Sequence, residues 1–438
     1  MRSVNIGLIG LGTVGGGVAR LISTHHDKYL EHYGIDLNLK RACSRDDAEA
    51  KRLGLAEGVF TFDWKDVVED PEIDIVVELI GGEHPATEIF EEAFKNGKHV
   101  VSANKALLGR HVEHLASLAA KSGVQIRCEA AAAGGIPVVH TLEHDLVGNE
   151  ILTIAGIMNG TTNYILSRMQ HEGLSFDEVL SAAQAAGYAE ADPTADVDGF
   201  DAASKIAILS SIGFQTRVTT DDVYMQGIRN VSATDIKMAQ EFGYTIKLLA
   251  IARNTPEGID VRVHPTMIPN THQLASVDGA MNAVFVVGDA VADHVLRQVR
   301  AHSPPQAPWS VTSWHWPSPS PRRRSDARAR ALRPQPLHSP HRRPENTLFV
   351  RLTVEDKLGT LAACTNAFAE CGISISHISQ TESEDGETCT LIYVTHEAVE
   401  SDMRKAETAL EALDGIREVS SIIRVENIDT WTEGVFAN

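Results

Sequence analysis

Apolar and polar positions fall into three regimes along the chain. In the first 130 residues, short apolar runs at 4–11, 37–43, 73–78, 99–102 and 124–128 read as strands, separated by helical stripes such as Val18, Leu21 and Ile22 and the stretches 88–96 and 112–122. That alternation is the order of repeated βα units, so an open parallel sheet of α/β class is expected. Residues 151–157 form a further strand, 164–170 a helix, and 201–212 a helix apolar on most sides. From Leu348 the period changes to two, through Val350, Leu352 and Val354. A helix to Phe368, strands at 372–378 and 389–395, a helix at 401–413 and a strand at 419–425 complete a βαββαβ order.

Between these regimes the pattern fails. Residues 296–345 hold ten arginines, ten prolines and no lysine, with Trp309, Trp314 and Trp316 close together. Neither helical nor strand periodicity is present, and proline removes backbone donors throughout, so no repeated secondary structure is assigned there.

Composition narrows the function. The net charge of −20 disfavours nucleic-acid phosphate as a partner, and the basic segment lacks organised aromatic spacing. No window approaches the roughly 18 continuous apolar residues of a membrane span, and Met1 leads directly into a strand without a signal-peptide pattern. Cys43, Cys128, Cys364, Cys371 and Cys389 form no close metal-ligand pairs and read as reduced core residues of a cytoplasmic protein.

Candidate chemistry begins at the first strand, which runs into Gly10, Gly12, Thr13, Val14 and Gly15 and then a helix. Gly10 permits the turn, Gly12 lets a pyrophosphate approach the backbone, and Gly15 lets the helix pack on its strand, as in a Rossmann-type dinucleotide site. Arg45, past the second strand, suits the 2′-phosphate of NADP, whereas the adjacent Asp46 suits the ribose of NAD. Gly81, Ser102, Asn104 and Lys105 lie just past other strand ends, where ligands sit in such sheets.

Downstream, Glu129 precedes an alanine-rich turn through Ala132 and Gly134, whose small side chains allow carbonyls to converge on a cation or a substrate; a bare tight turn explains the same composition. Gly160 and Thr161 lie in the run Asn159-Gly-Thr-Thr-Asn163 at a strand exit, which suits a small polar ligand or a capped turn. The richest run carries Tyr188, Glu190, Asp196, Asp201 and Lys205. Asp201 and Lys205 are i and i+4 on a mostly apolar helix, where two opposite charges need each other or a polar ligand.

This combination resembles the homoserine dehydrogenase family in its form with a C-terminal ACT domain. The resemblance covers residues 1 to about 292 and resumes near 348. It implies a Rossmann-type nucleotide domain at 1–130, an α+β substrate and dimerisation domain with a mixed sheet at 131–292, a ferredoxin-like ACT domain at 348–425 and a tail at 426–438. It also implies reversible NAD(P)-dependent reduction of L-aspartate 4-semialdehyde to L-homoserine in threonine, methionine and isoleucine biosynthesis. Lys205 would be the proton donor and acceptor, with Asp201 at the reacting oxygen and Lys105 holding substrate. Glu190 would bind the substrate ammonium, helped by Tyr188 and Asp196. Glu129, Ala132 and Gly134 match a monovalent-cation site, such as one for sodium. Asp356 and Gly359 match the ligand turn of an ACT domain, which implies L-threonine as an allosteric ligand of a homodimer; a domain used only for dimerisation is the other reading.

At 293–347 the chain departs from the family, whose members continue with a Met-Phe-Tyr-Gly stretch and a glycine-alanine-glycine loop. Codons such as GAC CAT GTT CTA CGG CAA encode Asp293 to Gln298, and read one base later they give Thr-Met-Phe-Tyr-Gly. A shifted frame restored before Leu348 accounts for this, with a disordered insertion as the runner-up. A nucleotide-bound amino-acid sensor without catalysis is the alternative function.

Overall fold

The computed structural model describes residues 2–255, 258–290, 294–297, 345–382, 386–426 and 431. They fall into two compact units, one built on residues up to 147 with 207–221, the other on 148–206, 222–297 and the C-terminal part.

In the first unit, β1 (Arg2–Ile9), β2 (Ile35–Cys43), β3 (Phe60–Thr61), β4 (Ile75–Glu78), β5 (His99–Ser102) and β6 (Ile126–Arg127) form one sheet in the order β3-β2-β1-β4-β5-β6. Every pairing is parallel. Strand order therefore reverses between β1 and β4, and the crevice at their carboxyl ends is where a dinucleotide binds in this topology. Val4, Ile6 and Leu8 of β1 are fully buried with Val18, Ala19 and Ile22 of the helix Thr13–Thr24, which explains why the apolar stripe was legible. The strand expected at 124–128 is shorter, because Cys128 already turns into Glu129–Ala131.

In the second unit, β7 (Ile151–Ile157), β8 (Tyr224–Met225), β9 (Tyr244–Thr255), β10 (Gly258–Pro269), β11 (Ala283–Gly288) and β12 (His294–Arg297) come first. They are followed by β13 (Glu345–Glu355), β14 (Ile375–Glu382), β15 (Thr388–Thr395), β16 (Ala398–Val399) and β17 (Ile416–Val425). The main path is β12-β11-β7-β9-β10-β17-β13-β15-β14. Its last four strands, with helices Thr360–Glu370 and Glu400–Glu411, make the ferredoxin-like domain, whose core joins Leu348, Val350, Leu352 and Val354 to Phe368, Met403 and Leu410. The sheet is mixed: the pairs β11–β7, β7–β9 and β9–β10 are antiparallel, whereas β10 and β17 pair in parallel through Thr266–Arg424 and Met267–Val425.

Regular structure extends past the point where it was expected to stop. β12 pairs with β11 from His294 to Arg297, and β13 begins at Glu345, so both described ends of the 293–347 segment are strand. The pairing is made by backbone groups along the edge of β11, which this short proline-free stretch can supply. The remainder of the expected disordered segment, 298–344, and most of the tail after 426 lie outside the described residues. Among the described residues no helix is long and apolar enough to cross a membrane, and all five cysteines are unbridged.

Candidate functional site

In the first unit the glycine turn has the shape a dinucleotide needs. Gly10 has φ +103°, and a Cβ there would lie 2.8 Å from the Leu79 backbone. A Cβ on Gly15 would lie 1.8 Å from the Gly10 carbonyl, so any larger residue would push the helix off its strand. Gly12 is open on its outer side. It starts the helix Thr13–Thr24 without any side-chain cap, which leaves the first-turn amides of Thr13 and Val14 for an anion. These features fit a pyrophosphate cradle.

Arg45 and Asp46 are both exposed beyond β2. One Asp46 carboxylate oxygen accepts from the amide of Ala48 at 3.1 Å, which ties it to the local turn. Across the switch point, buried Glu78 organises the other two strand ends. It accepts from Ser102 Oγ at 2.7 Å and from the Ile80 amide at 2.9 Å, and Asn104 Nδ2 donates to the Gly82 carbonyl at 2.7 Å. Gly81 and Gly82 both take positive φ in this turn. Asn104 also caps the helix Lys105–Lys121, and Lys105 stands exposed on its first turn. Sequence reasoning named Ser102, Asn104 and Gly81 but missed Glu78; an acid closing an otherwise apolar strand was the available signal.

At the alanine-rich turn, the Glu129 carboxylate accepts from the amides of Val139 and His140 at 2.9 and 2.8 Å. Its charge thus caps the short helix Val138–His140, and what this turn offers a cation is backbone oxygen. Ala133 takes the left-handed φ of +43°, next to Ala132 and Gly134. No cluster of His, Cys, Asp or Glu suited to a metal occurs among the described residues. Burial pushes the neighbouring Cys128 thiol up to about 12, so it is no nucleophile near neutral pH.

The second unit assembles the acid run. Helix Phe200–Gly213 places Asp201 and Lys205 on one side, with Lys205 Nζ donating to Asp201 Oδ2 at 2.7 Å and to the Met158 carbonyl at 2.7 Å. Their side chains are 5% and 14% exposed, and Ala202, Ala203 and Ile206 around them are buried, so this is no solvated surface pair. Asn159 supplies the link to the loop. Its Nδ2 donates to Asp196 Oδ1 at 2.6 Å and to Asp201 Oδ2 at 2.9 Å, while its Oδ1 caps the helix Gly160–Glu172 through the Thr162 amide. Gly160 is held close to Ala280, whose carbonyl a Cβ would meet at 2.9 Å. Thr161 Oγ1 donates to the Tyr188 carbonyl at 3.0 Å, and the Tyr188 ring stacks on Tyr164 at 4.6 Å. The Glu190 carbonyl accepts from Gln184 Nε2, and among the described residues Glu190, which is exposed, takes no part in this network. Asn159 is the residue sequence reasoning left unassigned, although its position before Gly160 was visible as a cap.

The comparisons decide the lineage. The family model "Homoserine dehydrogenase" matches residues 137–308, the model "Homoserine dehydrogenase, NAD binding domain" matches 10–129, and the ACT domain model matches 349–415. A homoserine dehydrogenase of Neisseria gonorrhoeae is 38% identical over 434 residues, 98% of this chain and 100% of that one. The chain belongs to the homoserine dehydrogenase family. A homoserine dehydrogenase structure from Thiobacillus denitrificans is 38% identical with a TM-score of 0.84, covering 97% of this chain and 98% of that one. A hyperthermophilic archaeal homoserine dehydrogenase in complex with NADPH is 25% identical with a TM-score of 0.58, covering 68% of this chain and 91% of that one. The family's activity is NAD(P)-dependent reduction of aspartate semialdehyde to homoserine, an oxidoreductase step of amino-acid biosynthesis, and this chain joins its nucleotide-binding and catalytic parts to an ACT domain. The catalytic model runs beyond residue 292, where the resemblance was expected to end.

Near the ACT turn, Gly359 takes φ +94° and starts the helix Thr360–Glu370. Beside it lies a cavity of about 310 Å³, lined by Asp356, Gly359, Gln380 and Cys389 among others. Asp356 and Gly359 thus share one concave site.

Proposed function

We propose that Lys205 is the proton donor and acceptor of the homoserine dehydrogenase reaction, with Asp201 orienting it. The observation that carries this is the double anchoring of Lys205 Nζ on Asp201 Oδ2 and the Met158 carbonyl. Two of the three ammonium hydrogens are committed, which fixes the direction in which the third reaches a substrate oxygen. When the semialdehyde carbon is reduced, negative charge develops on its oxygen, and that third N–H stabilises and then protonates it. Bound nicotinamide cofactor supplies the reducing equivalent. Alcohol oxidation runs the same proton back to Lys205.

The remaining roles follow from placement. Glu190, exposed on the same loop, takes the substrate ammonium, with Asp196 and the Tyr188 carbonyl beside Thr161 and Gly160 completing the polar end. Lys105 holds substrate from the end of β5. Gly10, Gly12, Thr13, Val14 and Gly15 take the pyrophosphate, with Gly81, Ser102 and Asn104 lining the far side of the crevice. Arg45 favours NADP, because its exposed guanidinium suits a 2′-phosphate and the archaeal relative is solved with NADPH. A monovalent cation such as sodium is held by backbone oxygens at Glu129, Ala132 and Gly134, since the Glu129 carboxylate already serves two amides.

The cavity beside Asp356 and Gly359 takes L-threonine, and the exposed edge strand β14, with Ile378 40% exposed, supports pairing of two chains as a homodimer. Five unbridged cysteines support a cytoplasmic setting.

The test is NADPH consumption by the full chain with aspartate semialdehyde. Lys205→Ala is expected to lower turnover about 100-fold or more, while Glu190→Ala mainly raises KM. Near-parent turnover in Lys205→Ala would move the proton transfer elsewhere, with Lys105 next in line. Absent turnover in the parent beside saturable NADPH binding would favour a nucleotide-bound sensor.

A further inference from the structure

A second cavity, of about 340 Å³, lies in the second unit between the ACT helix Glu400–Glu411 and β8. It shares no lining residue with the cavity beside Asp356 and Gly359. Its polar wall holds two guanidiniums and one carboxylate, from Arg404, Arg424 and Glu407. The guanidiniums stand 5.8 and 4.9 Å from the centre of the Tyr224 ring. Arg424 is only 3% exposed and is fixed by Nη1 on Gln226 Oε1 at 2.8 Å and Nη2 on Tyr224 Oη at 3.1 Å, so its charge is pre-oriented before any ligand arrives. Leu348, Met403 and Ile422 make the apolar wall.

We propose that this cavity is a second ligand site that takes a free α-amino acid with an apolar side chain of moderate size. The two guanidiniums receive the α-carboxylate, Glu407 receives the ammonium, and the apolar wall receives the side chain. A phosphate or dicarboxylate fits less well, because Glu407 faces the same space and would repel a second negative charge. A neutral apolar molecule would desolvate both guanidiniums without return. The volume is in the range of small-molecule pockets and leaves room for bridging water.

The site has a physical route to the acid run. Gln226 forms the cavity floor and binds the ACT strand twice, through Arg424 and through the Ile422 carbonyl at 3.1 Å. The next residue, Gly227, packs so tightly that a Cβ would lie 2.4 Å from the Val197 carbonyl. Ile228 donates its amide to that carbonyl at 2.8 Å, and Arg229 binds Asp198 at 2.6 Å. Val197 and Asp198 directly follow Asp196, which holds Asn159 and through it Asp201. A ligand that shifts Gln226 therefore acts on the loop that sets the Lys205 and Asp201 pair, by contacts that are continuous in space.

The probe is L-leucine, titrated calorimetrically into the full chain, with 4-methylpentanoate as the analogue that lacks the ammonium. Saturable binding is expected, about tenfold or more weaker for 4-methylpentanoate and for the Glu407→Gln and Arg404→Met variants, and within about twofold of the parent in Asp356→Ala. Arg404 is exposed and Glu407 half-buried, so neither substitution removes core, and an unchanged thermal melt identifies folded variants. Saturating L-leucine is also expected to change the KM for homoserine about twofold or more in the parent and not in Glu407→Gln. Absence of saturable heat with L-leucine, or binding lost in Asp356→Ala but kept in Glu407→Gln, overturns the site. Binding without any change in KM overturns the route to the acid run.

Discussion

The amide nitrogen of Asn159 lies 2.9 Å from the carboxylate of Asp201, 42 residues further along the chain, and holds it at the start of its helix. The same Asp201 oxygen accepts from Lys205. A carboxylate that shares one oxygen between a neutral amide and an ammonium keeps the ammonium in place without neutralising every acceptor around it. Orientation of Lys205, the proton donor proposed above, therefore depends on a residue that need not touch substrate.

Removing that amide should cost more in kcat than in KM. Asn159→Ala is expected to lower kcat about 10- to 100-fold and to destabilise the protein by about 1 kcal/mol through loss of the cap on Thr162. Asn159→Asp keeps a capping oxygen but sets a third carboxylate against Asp196 and Asp201, so its activity should fall at least as far while its stability at low pH recovers. Steady-state kinetics and urea unfolding on both variants separate the two effects. Equal kcat in Asn159→Ala and parent would remove Asn159 from the positioning of Asp201.

How much of this was legible in sequence follows from the range of each interaction. The glycine turn, the i to i+4 spacing of Asp201 and Lys205 and the alternation from Leu348 to Val354 are local, and each appears as the pattern implies. Asp196 and Asp201, which accept from Asn159, and Ser102, which donates to Glu78, lie tens of residues away along the chain, so periodicity carries no trace of these bonds. Junctions between domains were equally hidden. Two residue pairs join β10 to β17, and neither Thr266 nor Arg424 announces a strand partner in a different domain. The cluster of buried Arg262 and Glu426 with partly buried Arg253 is of the same kind, because burial of a charge is decided by the tertiary fold and not by its neighbours in sequence.

That cluster gives the protein an acid limit. Burial of Glu426 favours its neutral form, but Arg262 at 2.5 Å and Arg253 at 2.6 Å outweigh this and hold its carboxyl below the usual carboxylate range. A depressed folded value contributes stability at pH above the unfolded value of about 4.3, and that contribution is lost as pH falls through the folded value. Glu426→Gln, which leaves two guanidiniums facing an amide, should cost about 3 to 5 kcal/mol at pH 7. The gap between parent and variant should narrow below about pH 4 in urea unfolding followed by tryptophan fluorescence, since Trp431 donates to Glu426 at 3.1 Å. A gap that stays constant with pH would mean that the loss is one of packing rather than charge.

The proposed preference for NADP rests on Arg45. With one Asp46 oxygen tied to the Ala48 amide, the exposed guanidinium is the group placed to meet a 2′-phosphate. Arg45→Ala is expected to weaken NADPH binding about tenfold or more and to leave NADH within about twofold, measured by nicotinamide fluorescence. An unchanged preference would return Arg45 to a solvated turn.

The final prediction concerns the coding sequence from codon 288 to codon 350. Alignment to the Neisseria gonorrhoeae relative spans 434 residues, 98% of this chain and 100% of that one, so the arginine- and proline-rich segment lies inside the aligned span. An insertion lengthens a chain relative to its family; a frame shifted and then restored does not. The strand His294–Arg297 does not argue against this, because its pairing with β11 is made by backbone groups that any non-proline sequence supplies. The frame reading predicts that the alternative frame is open from about codon 293 and encodes Thr-Met-Phe-Tyr-Gly, a glycine-alanine-glycine loop and an apolar helix before returning to Leu348. A protein expressed from the restored frame should show higher turnover and a higher melting temperature than the present chain, because apolar family sequence replaces a stretch rich in arginine and proline. Stop codons in the alternative frame, or equal activity and stability of the two proteins, would establish the segment as a true substitution in this lineage.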